Sequence, residues 1–193
     1  MTQEQMILAL VESTVRTVSN HGLDKTTTKL IANGANLNEV YIYRLFEGKE
    51  DLLKKTFDKI DGELASKCKE NFPILKKEGY DFDTKNRMVF SALWKFLIAD
   101  RDKCLFFIRY YHSPYFKKFS SEEHFKRYKS IVDLMAFAFK TGVNAGLMLN
   151  HILTVTLHYV LLVFNGVLED NDDTVDLVFT LTYSSIKPFT INN

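Results

Sequence analysis

Residues that break helices are scarce in this chain of 193 residues, which has three Pro and eight Gly. Sustained alternation of apolar and polar residues, the pattern of half-buried strands, is also missing. Hydrophobic residues make up 46% of the chain and aromatic residues 13%, which is enough for a packed core. The sequence therefore predicts an ordered, all-α protein.

Cysteine is also rare. Cys68 and Cys104 are too few for a disulfide framework or for a cysteine-based metal site. The first residues, Met1–Gln5, lack the basic and apolar regions of a secretory signal peptide. We therefore expect the protein to reside in the cytoplasm.

Charge of neither sign dominates the chain, whose formal net charge is +1. Residues 1–60 contain eight Lys or Arg and eight Asp or Glu. A non-specific DNA binder usually has an excess of basic residues, so this balance argues mildly against a nucleic-acid partner. The local sequence pattern described below outweighs it, because a few well-placed phosphate contacts do not require a basic domain.

Motifs that indicate catalysis or metal binding are missing as well. The sequence has no Gly-rich phosphate loop, no nucleophile elbow and no HExxH motif. His151 and His158 are separated by seven positions, or roughly 10 Å along a helix, so they do not share one zinc ion. We expect no enzymatic activity, no cofactor and no metal.

One apolar run, residues 151–168, carries no fixed charge and approaches the length that spans a bilayer. However, His151, Thr154, His158 and Asn165 recur at helical spacing and form a polar stripe. We therefore expect a buried helix of a bundle and no association with a membrane.

The most informative stretch is residues 26–53. Thr27 is a candidate helix N-cap, because its hydroxyl can accept a hydrogen bond from a free backbone N–H group. Gly34 and Asn36 tolerate the left-handed conformation that reverses the chain, and Asn38 is placed to cap a second helix. The stretch thus predicts two short helices joined by a tight turn and followed by a third.

The second short helix has two different faces. Ile42, Leu45 and Phe46 share one face at spacings of three and four residues. The other face carries Glu39, Val40, Tyr43 and Arg44, with Tyr41 at the border. A short helix with small, aromatic and basic groups on its outer side fits a DNA major groove.

This stretch resembles the DNA-binding segment of TetR/AcrR-family transcriptional repressors. The family usually has Gly where Asn36 stands, often Gly or Pro in place of Val40, and often His in place of Leu45. The resemblance extends over about thirty positions at unbroken spacing and rests on Gly22, Thr26, Thr27, Ile31, Ala32, Ala35, Leu37, Asn38, Ile42, Tyr43, Phe46, Lys49, Glu50, Leu52 and Leu53.

The resemblance implies roles for individual residues. Thr27, Thr28 and Lys29 would face the phosphate backbone at a helix N-terminus. Glu39, Val40 and Tyr41 match base-reading positions. Tyr43 matches a phosphate-contacting tyrosine, Lys49 matches a lysine at the start of the next helix, and Arg44 is close enough to reach phosphate. Simple capping by Thr27 and simple packing of Tyr43 are the alternatives.

The remainder of the chain predicts a larger helical domain. We expect a helix-turn-helix DNA-binding domain at residues 1–47 and a ligand-binding and dimerisation domain at 48–193. Helix bounds expected from caps and periodicity are 2–20, 49–71, a helix capped by Asp83, 103–112, a helix from 120 or 121 to 139, a helix ending at 165, and a helix from 172 or 173 to 185.

Aromatic residues of the larger domain are candidates for a ligand pocket, since such sites have apolar walls with few polar groups. Ordinary core packing is the alternative for each of them. The candidates are Phe90, Trp94, Phe106, Phe107, Tyr110, Tyr111, Phe137 and His158.

By resemblance, we predict a ligand-responsive repressor that binds a pseudo-palindromic operator as a homodimer. The last two helices would form the dimer interface, and a small apolar or aromatic inducer would release the DNA. The alternative is a helical small-molecule or lipid-binding protein whose N-terminal domain no longer binds DNA.

Overall fold

The structure, a computed structural model, describes residues 1–191 and confirms the all-α class. Short turns lie between some of the helices: two 3-10 turns at Phe72–Lys76 and Ala136–Ala138 and a π-helical turn at Phe116–Ser120. A third 3-10 turn, Lys187–Phe189, follows the last helix. The nine α-helices within these residues are α1 (Gln3–His21), α2 (Thr28–Gly34), α3 (Val40–Leu45), α4 (Lys49–Asn71), α5 (Phe82–Ile98), α6 (Arg101–Tyr111), α7 (Ser121–Met135), α8 (Ala145–Phe164) and α9 (Asp172–Ile186).

Capping residues set several of the helix ends. At the start of α1, the Thr2 hydroxyl accepts a hydrogen bond from the Gln5 amide, and the Gln5 side chain accepts one from the Thr2 amide. This reciprocal pair satisfies two N–H groups that the first turn leaves open. The predicted bounds of α1 are confirmed to within one residue, and those of α4 agree at both ends.

Two predicted helix ends are wrong. Asp81, and not Asp83, caps α5, since its carboxylate accepts a hydrogen bond from the Thr84 amide at 2.8 Å. Asp83 lies in the first turn of α5 and accepts a hydrogen bond from the Tyr183 hydroxyl instead. Helix α7 ends at Met135, because residues 136–138 tighten into a 3-10 turn.

The chain divides into two compact units. The first contains residues 1–63 and 100–125, and the second contains residues 64–99 and those from 126 onward. This division falls elsewhere than the expected boundary after residue 47, because α6 packs on α1 and so joins the first unit. The expected boundary between DNA-binding and ligand-binding functions stays a prediction.

Helix α1 packs against α2 and α6 within the first unit. The Ser13 hydroxyl donates a hydrogen bond to the Ile31 carbonyl of α2 at 2.7 Å. Near the end of α1, the Arg109 guanidinium of α6 donates to the carbonyls of Val18 and Ser19. The last turn of α1 leaves the Ser19 carbonyl without a helical partner, whereas the Val18 carbonyl also accepts a hydrogen bond from the Gly22 amide.

Stacked aromatic rings fill another part of the first unit. The Phe57 ring is fully buried, and its centroid lies 4.6 Å from that of Tyr110 and 5.3 Å from that of Phe107. Phe116 approaches the same ring edge-on, with the centroids 5.6 Å apart. Offset and edge-to-face contacts of this kind stabilise a core beyond the area that they bury.

Helix α8 belongs to the second unit and is buried on one face. Within residues 1–191, it is the one helix long and apolar enough to cross a membrane by length and composition, yet only 22% of its most apolar window is buried. Thr154, His158 and Asn165 of the predicted polar stripe are exposed. The burial expected for α8 is therefore confined to the face formed by Leu149, Leu153, Thr156, Leu157 and Val160.

We expect Phe57→Ala to lower the free energy of unfolding by about 3–5 kcal/mol, because it empties a site surrounded by four rings. Urea denaturation followed by circular dichroism measures this change. Tyr43→Ala is the control, since Tyr43 is 62% exposed and its loss should change stability by less than about 0.5 kcal/mol. Equal destabilisation by both substitutions would contradict the assignment of Phe57 to the core.

Candidate functional site

Helices α2 and α3 form a compact helix-turn-helix. The Thr27 hydroxyl accepts a hydrogen bond from the Leu30 amide at 3.2 Å, which confirms Thr27 as the N-cap of α2. Asn36 has a φ of 54°, so the left-handed turn predicted at this residue is confirmed. The Asn38 side chain accepts a hydrogen bond from the Val40 amide at 2.9 Å and thereby satisfies the first amide of α3.

Gly34 lets α2 lie close to α1. A Cβ atom placed on Gly34 would come within 2.5 Å of the Ser13 hydroxyl oxygen, which is closer than real Cβ contacts allow. The Ser13 hydroxyl is already held by the Ile31 carbonyl. A larger residue at position 34 would therefore have to displace a buried hydrogen bond between the two helices.

Helix α3 buries one face and exposes the other, as predicted. Ile42 is fully buried and Phe46 is 5% exposed. Val40 and Tyr43 are 58% and 62% exposed, and Arg44 is exposed as well. We call these last three residues the outer face of α3.

The residues predicted to contact DNA lie on three neighbouring segments. The Thr28 hydroxyl at the start of α2 donates a hydrogen bond to the Glu39 carboxylate, and the Lys29 side chain is exposed. Half-buried Tyr41 lies under the Arg44 guanidinium, which is 5.5 Å from the ring centroid.

Lys49, the first residue of α4, is half-buried. Its ammonium donates a hydrogen bond to the Leu23 carbonyl at 3.5 Å. An ammonium has three donor hydrogens, so this bond leaves others for an anion. The predicted residues of α2, α3 and α4 thus lie in the same part of the first unit.

Residues 10–56 match the family model described as bacterial regulatory proteins of the tetR family. This match covers α2, α3 and their turn, together with parts of α1 and α4. This N-terminal segment of the chain is therefore similar to the TetR family.

Solved structures with a similar fold include TetR-family regulators. A TetR-family transcription regulator from Marinobacter aquaeolei is 20% identical, with a TM-score of 0.77 over 94% of this chain and 95% of that chain. FadR from Bacillus subtilis, crystallised in complex with stearoyl-CoA, is 20% identical, with a TM-score of 0.69 over 93% and 98% of the two chains. SmeT, the repressor of a Stenotrophomonas maltophilia multidrug efflux pump, is 13% identical, with a TM-score of 0.65 over 100% and 92%. No curated protein matches the sequence.

An apolar cavity lies within the second unit. The empty space between its walls is about 680 Å³, its opening included. Among residues 1–191 the lining contains no Lys, Arg, His, Asp or Glu; it consists of Cys68, Phe72, Leu75, Phe82, Asn86, Val89, Phe90, Leu93, Met135, Ala138, Phe139, Leu149, Ile152, Leu153, Phe179, Thr182, Tyr183, Ile186 and Thr190.

The polar groups of the cavity wall differ in their bonding. The Asn86 side-chain amide donates to the Phe82 carbonyl at 2.7 Å, and the Tyr183 hydroxyl donates to Asp83 at 2.6 Å. The bond from Tyr183 lowers the pKa of Asp83, whereas burial and the same carboxylate raise the pKa of Tyr183. Tyr183 therefore stays neutral at physiological pH. The Thr182 hydroxyl has no hydrogen-bond partner in the described residues.

The structure does not bring the eight predicted pocket residues together. Among the described residues, 1–191, Phe90 is the one member of the predicted set that lines the cavity. Phe106, Phe107, Tyr110 and Tyr111 belong to the first unit, where Phe107, Tyr110 and Phe57 stack. Phe106, Phe107 and Tyr110 are buried and Tyr111 is half-buried, and the role of these four residues in ligand binding stays a prediction.

The other three predicted residues lie in the second unit outside the cavity lining. Trp94 is buried, and its indole N–H donates to Asp170 at 3.1 Å. Phe137 is 39% exposed, with the Lys76 ammonium 4.9 Å above its ring, and His158 is exposed.

Several residues of the cavity wall were missed by sequence reasoning. Phe72 and Phe139 lie in short turns between helices, and Phe179 and Thr182 lie on α9. Each occupies an apolar or neutral position that suits an ordinary core equally well. No spacing in the sequence distinguishes them, because their convergence is decided by the packing of distant segments.

Metal and thiol chemistry have little basis in the described residues. Among residues 1–191, no three His, Cys, Asp or Glu side chains are placed to hold a metal ion. Burial raises the pKa of the Cys104 thiol to about 12, so the reactive thiolate is scarce at neutral pH.

Asn36→Gly should leave stability unchanged within about 0.5 kcal/mol, because glycine adopts positive φ without strain. Asn36→Ala should lower the free energy of unfolding by about 1–2 kcal/mol, since a methyl side chain is strained in the left-handed region. Thermal and urea denaturation of the two variants, compared side by side, measure this difference. Equal stability of the two variants would refute the left-handed turn.

Proposed function

We propose that this protein is a ligand-responsive transcriptional regulator of the TetR family that binds operator DNA in the cytoplasm, most simply as a repressor. The observation that carries the proposal is the outer face of α3, where Val40, Tyr43 and Arg44 are exposed although Ile42 on the opposite side of the same helix is fully buried. A rigidly held helix with one side free is the geometry that reads a major groove.

Phosphate contacts would position this helix. The exposed Lys29 lies in the first turn of α2, beside the capping residue Thr27, where free backbone N–H groups favour an anion. Arg44 and Lys49 add cationic side chains from α3 and α4. These groups compensate for the balanced charge of residues 1–60, because phosphate contacts need local placement more than a basic domain.

A homodimer through the last two helices would present two copies of α3 to successive major grooves of a pseudo-palindromic operator. The exposed apolar side chains of α8 and α9 support this interface. Leu147 is 59% exposed, Leu177 49% and Leu181 45%. Apolar side chains on neighbouring helices are typical of a surface that a partner covers.

The cavity of the second unit is the proposed site of the inducer. Its wall is almost entirely apolar, which suits a small apolar or aromatic molecule. Bacillus subtilis FadR, which has a similar fold, was crystallised in complex with stearoyl-CoA, a molecule with a long apolar acyl chain and a charged coenzyme A group. Binding would favour the conformation with lower DNA affinity and so release the operator.

Arg44→Ala should weaken binding to the DNA upstream of the protein's own gene by about five- to tenfold, because one charge-assisted contact is lost per protomer. The dependence of log K on log salt should also become less steep by about one per protomer. Fluorescence anisotropy with labelled DNA at several salt concentrations measures both quantities. Lys129→Ala removes the same charge from exposed α7 and should change neither.

Absence of salt-dependent binding to any upstream fragment would favour the alternative, a helical small-molecule or lipid-binding protein whose N-terminal domain no longer binds DNA. The equal numbers of acidic and basic residues in positions 1–60 are the observation that favours it. A true DNA binder loses affinity steeply as salt rises.

Leu177→Glu combined with Leu181→Glu should convert the dimer to monomers, because two buried carboxylates would have no partners in the proposed interface. Sedimentation velocity at micromolar concentration measures the change in mass. Leu8→Glu is a matched control, since Leu8 on α1 is 45% exposed and lies outside α8 and α9. A folded dimer in the double variant would place the interface elsewhere.

A further inference from the structure

The Thr182 hydroxyl lacks the intrahelical hydrogen bond that three other buried threonines form. Thr14, Thr56 and Thr156 each donate their hydroxyl hydrogen to the carbonyl four residues before, at 2.7–2.8 Å. Thr182 lies in the interior of α9 and is 3% exposed, but its hydroxyl forms no such bond with Val178 or with any other described group. A buried hydroxyl without a partner costs free energy.

Thr182 also lines the apolar cavity of the second unit. The other polar side chains of the wall are already bonded: Asn86 to the Phe82 carbonyl, Tyr183 to Asp83, and Thr190 to the Lys187 carbonyl. The unpaired hydroxyl is therefore the polar group of this wall that gains most from a bound molecule.

The charge of such a molecule follows from the same wall. Within residues 1–191, no ionised side chain lines the cavity. An ion taken into such a space loses its hydration without gaining a partner. A neutral hydroxyl or carbonyl group loses less, and it can pair with a threonine hydroxyl, which both donates and accepts.

We propose that the cavity binds an uncharged, largely apolar molecule whose single buried polar group, a hydroxyl or a carbonyl, hydrogen-bonds with Thr182 Oγ1. This inference rests on the proposed function only in that the cavity serves as the inducer site. The inference further specifies that the ligand is uncharged, that it carries one buried hydroxyl or carbonyl, and that Thr182 recognises this group. The polar group of the ligand replaces the intrahelical bond that Thr182 lacks.

The first test is titration calorimetry of the free protein with probes of matched size. 1-Octanol, 2-octanone and octanoate compare a hydroxyl, a carbonyl and a carboxylate, and 2-naphthol with 2-naphthoate repeats the comparison on an aromatic ring. Each neutral probe should bind at least about tenfold more tightly than its carboxylate. Comparing the affinities for 1-octanol and 2-octanone shows whether the site prefers a ligand hydroxyl, which can donate a hydrogen bond, or a ligand carbonyl, which only accepts one. Equal or tighter binding of the carboxylates, or binding of no neutral probe, overturns the proposal.

The second test assigns the selectivity to Thr182. Thr182→Val keeps the volume and removes the hydroxyl, so affinity for the neutral probes should fall about five- to tenfold. Thr182→Ser keeps the hydroxyl and should restore at least half of the binding free energy lost. Thr156→Val removes a buried hydroxyl outside the cavity lining and should leave affinity unchanged. The same loss in Thr156→Val as in Thr182→Val overturns the assignment.

Stability separates a ligand role from a structural one. Without ligand, Thr182→Val should melt at the same temperature as the parent protein or higher, because it removes an unpaired buried hydroxyl. Thr156→Val should melt lower, since it breaks a bond that exists. A lower melting temperature of unliganded Thr182→Val means that its hydroxyl is already bonded, and this contradicts the proposal.

These experiments use free protein, so they do not depend on the operator. Probe binding that requires Thr182, together with failure to bind DNA, would support the inference and refute the proposed regulator. Salt-dependent operator binding without binding of any neutral probe would support the proposed regulator and refute the inference about Thr182.

Discussion

The contact between α1 and α2 holds the candidate DNA-binding surface in place. Gly34 lets the two helices approach until the Ser13 hydroxyl reaches the Ile31 carbonyl. The same packing buries Ile42 and Phe46, so α3 has one side fixed in the core and the other side free. A helix of six residues is not stable alone, and its orientation therefore comes from this core.

Helix α1 also connects the core beneath α3 to helix α6. Arg109 of α6 donates hydrogen bonds to the Val18 and Ser19 carbonyls near the end of α1. Residues 100–125 thereby belong to the same compact unit as the helix-turn-helix, although they follow it by more than fifty positions. The first unit is thus larger than the segment that matches the family model, residues 10–56.

The two units use apolar residues in different ways. In the first unit, Phe57 and Tyr110 stack with centroids 4.6 Å apart and fill the space between their helices. In the second unit, Phe90 and Phe179 lie beside a cavity that other side chains leave open. Phe residues occur in both, so residue type does not distinguish a filled core from a ligand site.

Local signals in the sequence predicted the local structure of the N-terminal segment. The cap at Thr27, the left-handed Asn36 and the buried face with Ile42 and Phe46 all depend on residues within a few positions of each other. The cap of α5 was predicted at Asp83 and lies at Asp81, because both aspartates are suitable acceptors and Asp83 is engaged by Tyr183, a hundred positions away.

The sequence by itself therefore determined the all-α class, the helix-turn-helix and the exposed outer face of α3, because periodicity, capping and turn chemistry act over short separations. Only the tertiary structure decided which aromatic residues fill a core, which line a cavity, and that the Thr182 hydroxyl lacks a partner. Those properties depend on side chains brought together from segments far apart in the chain, and no local pattern encodes such convergence.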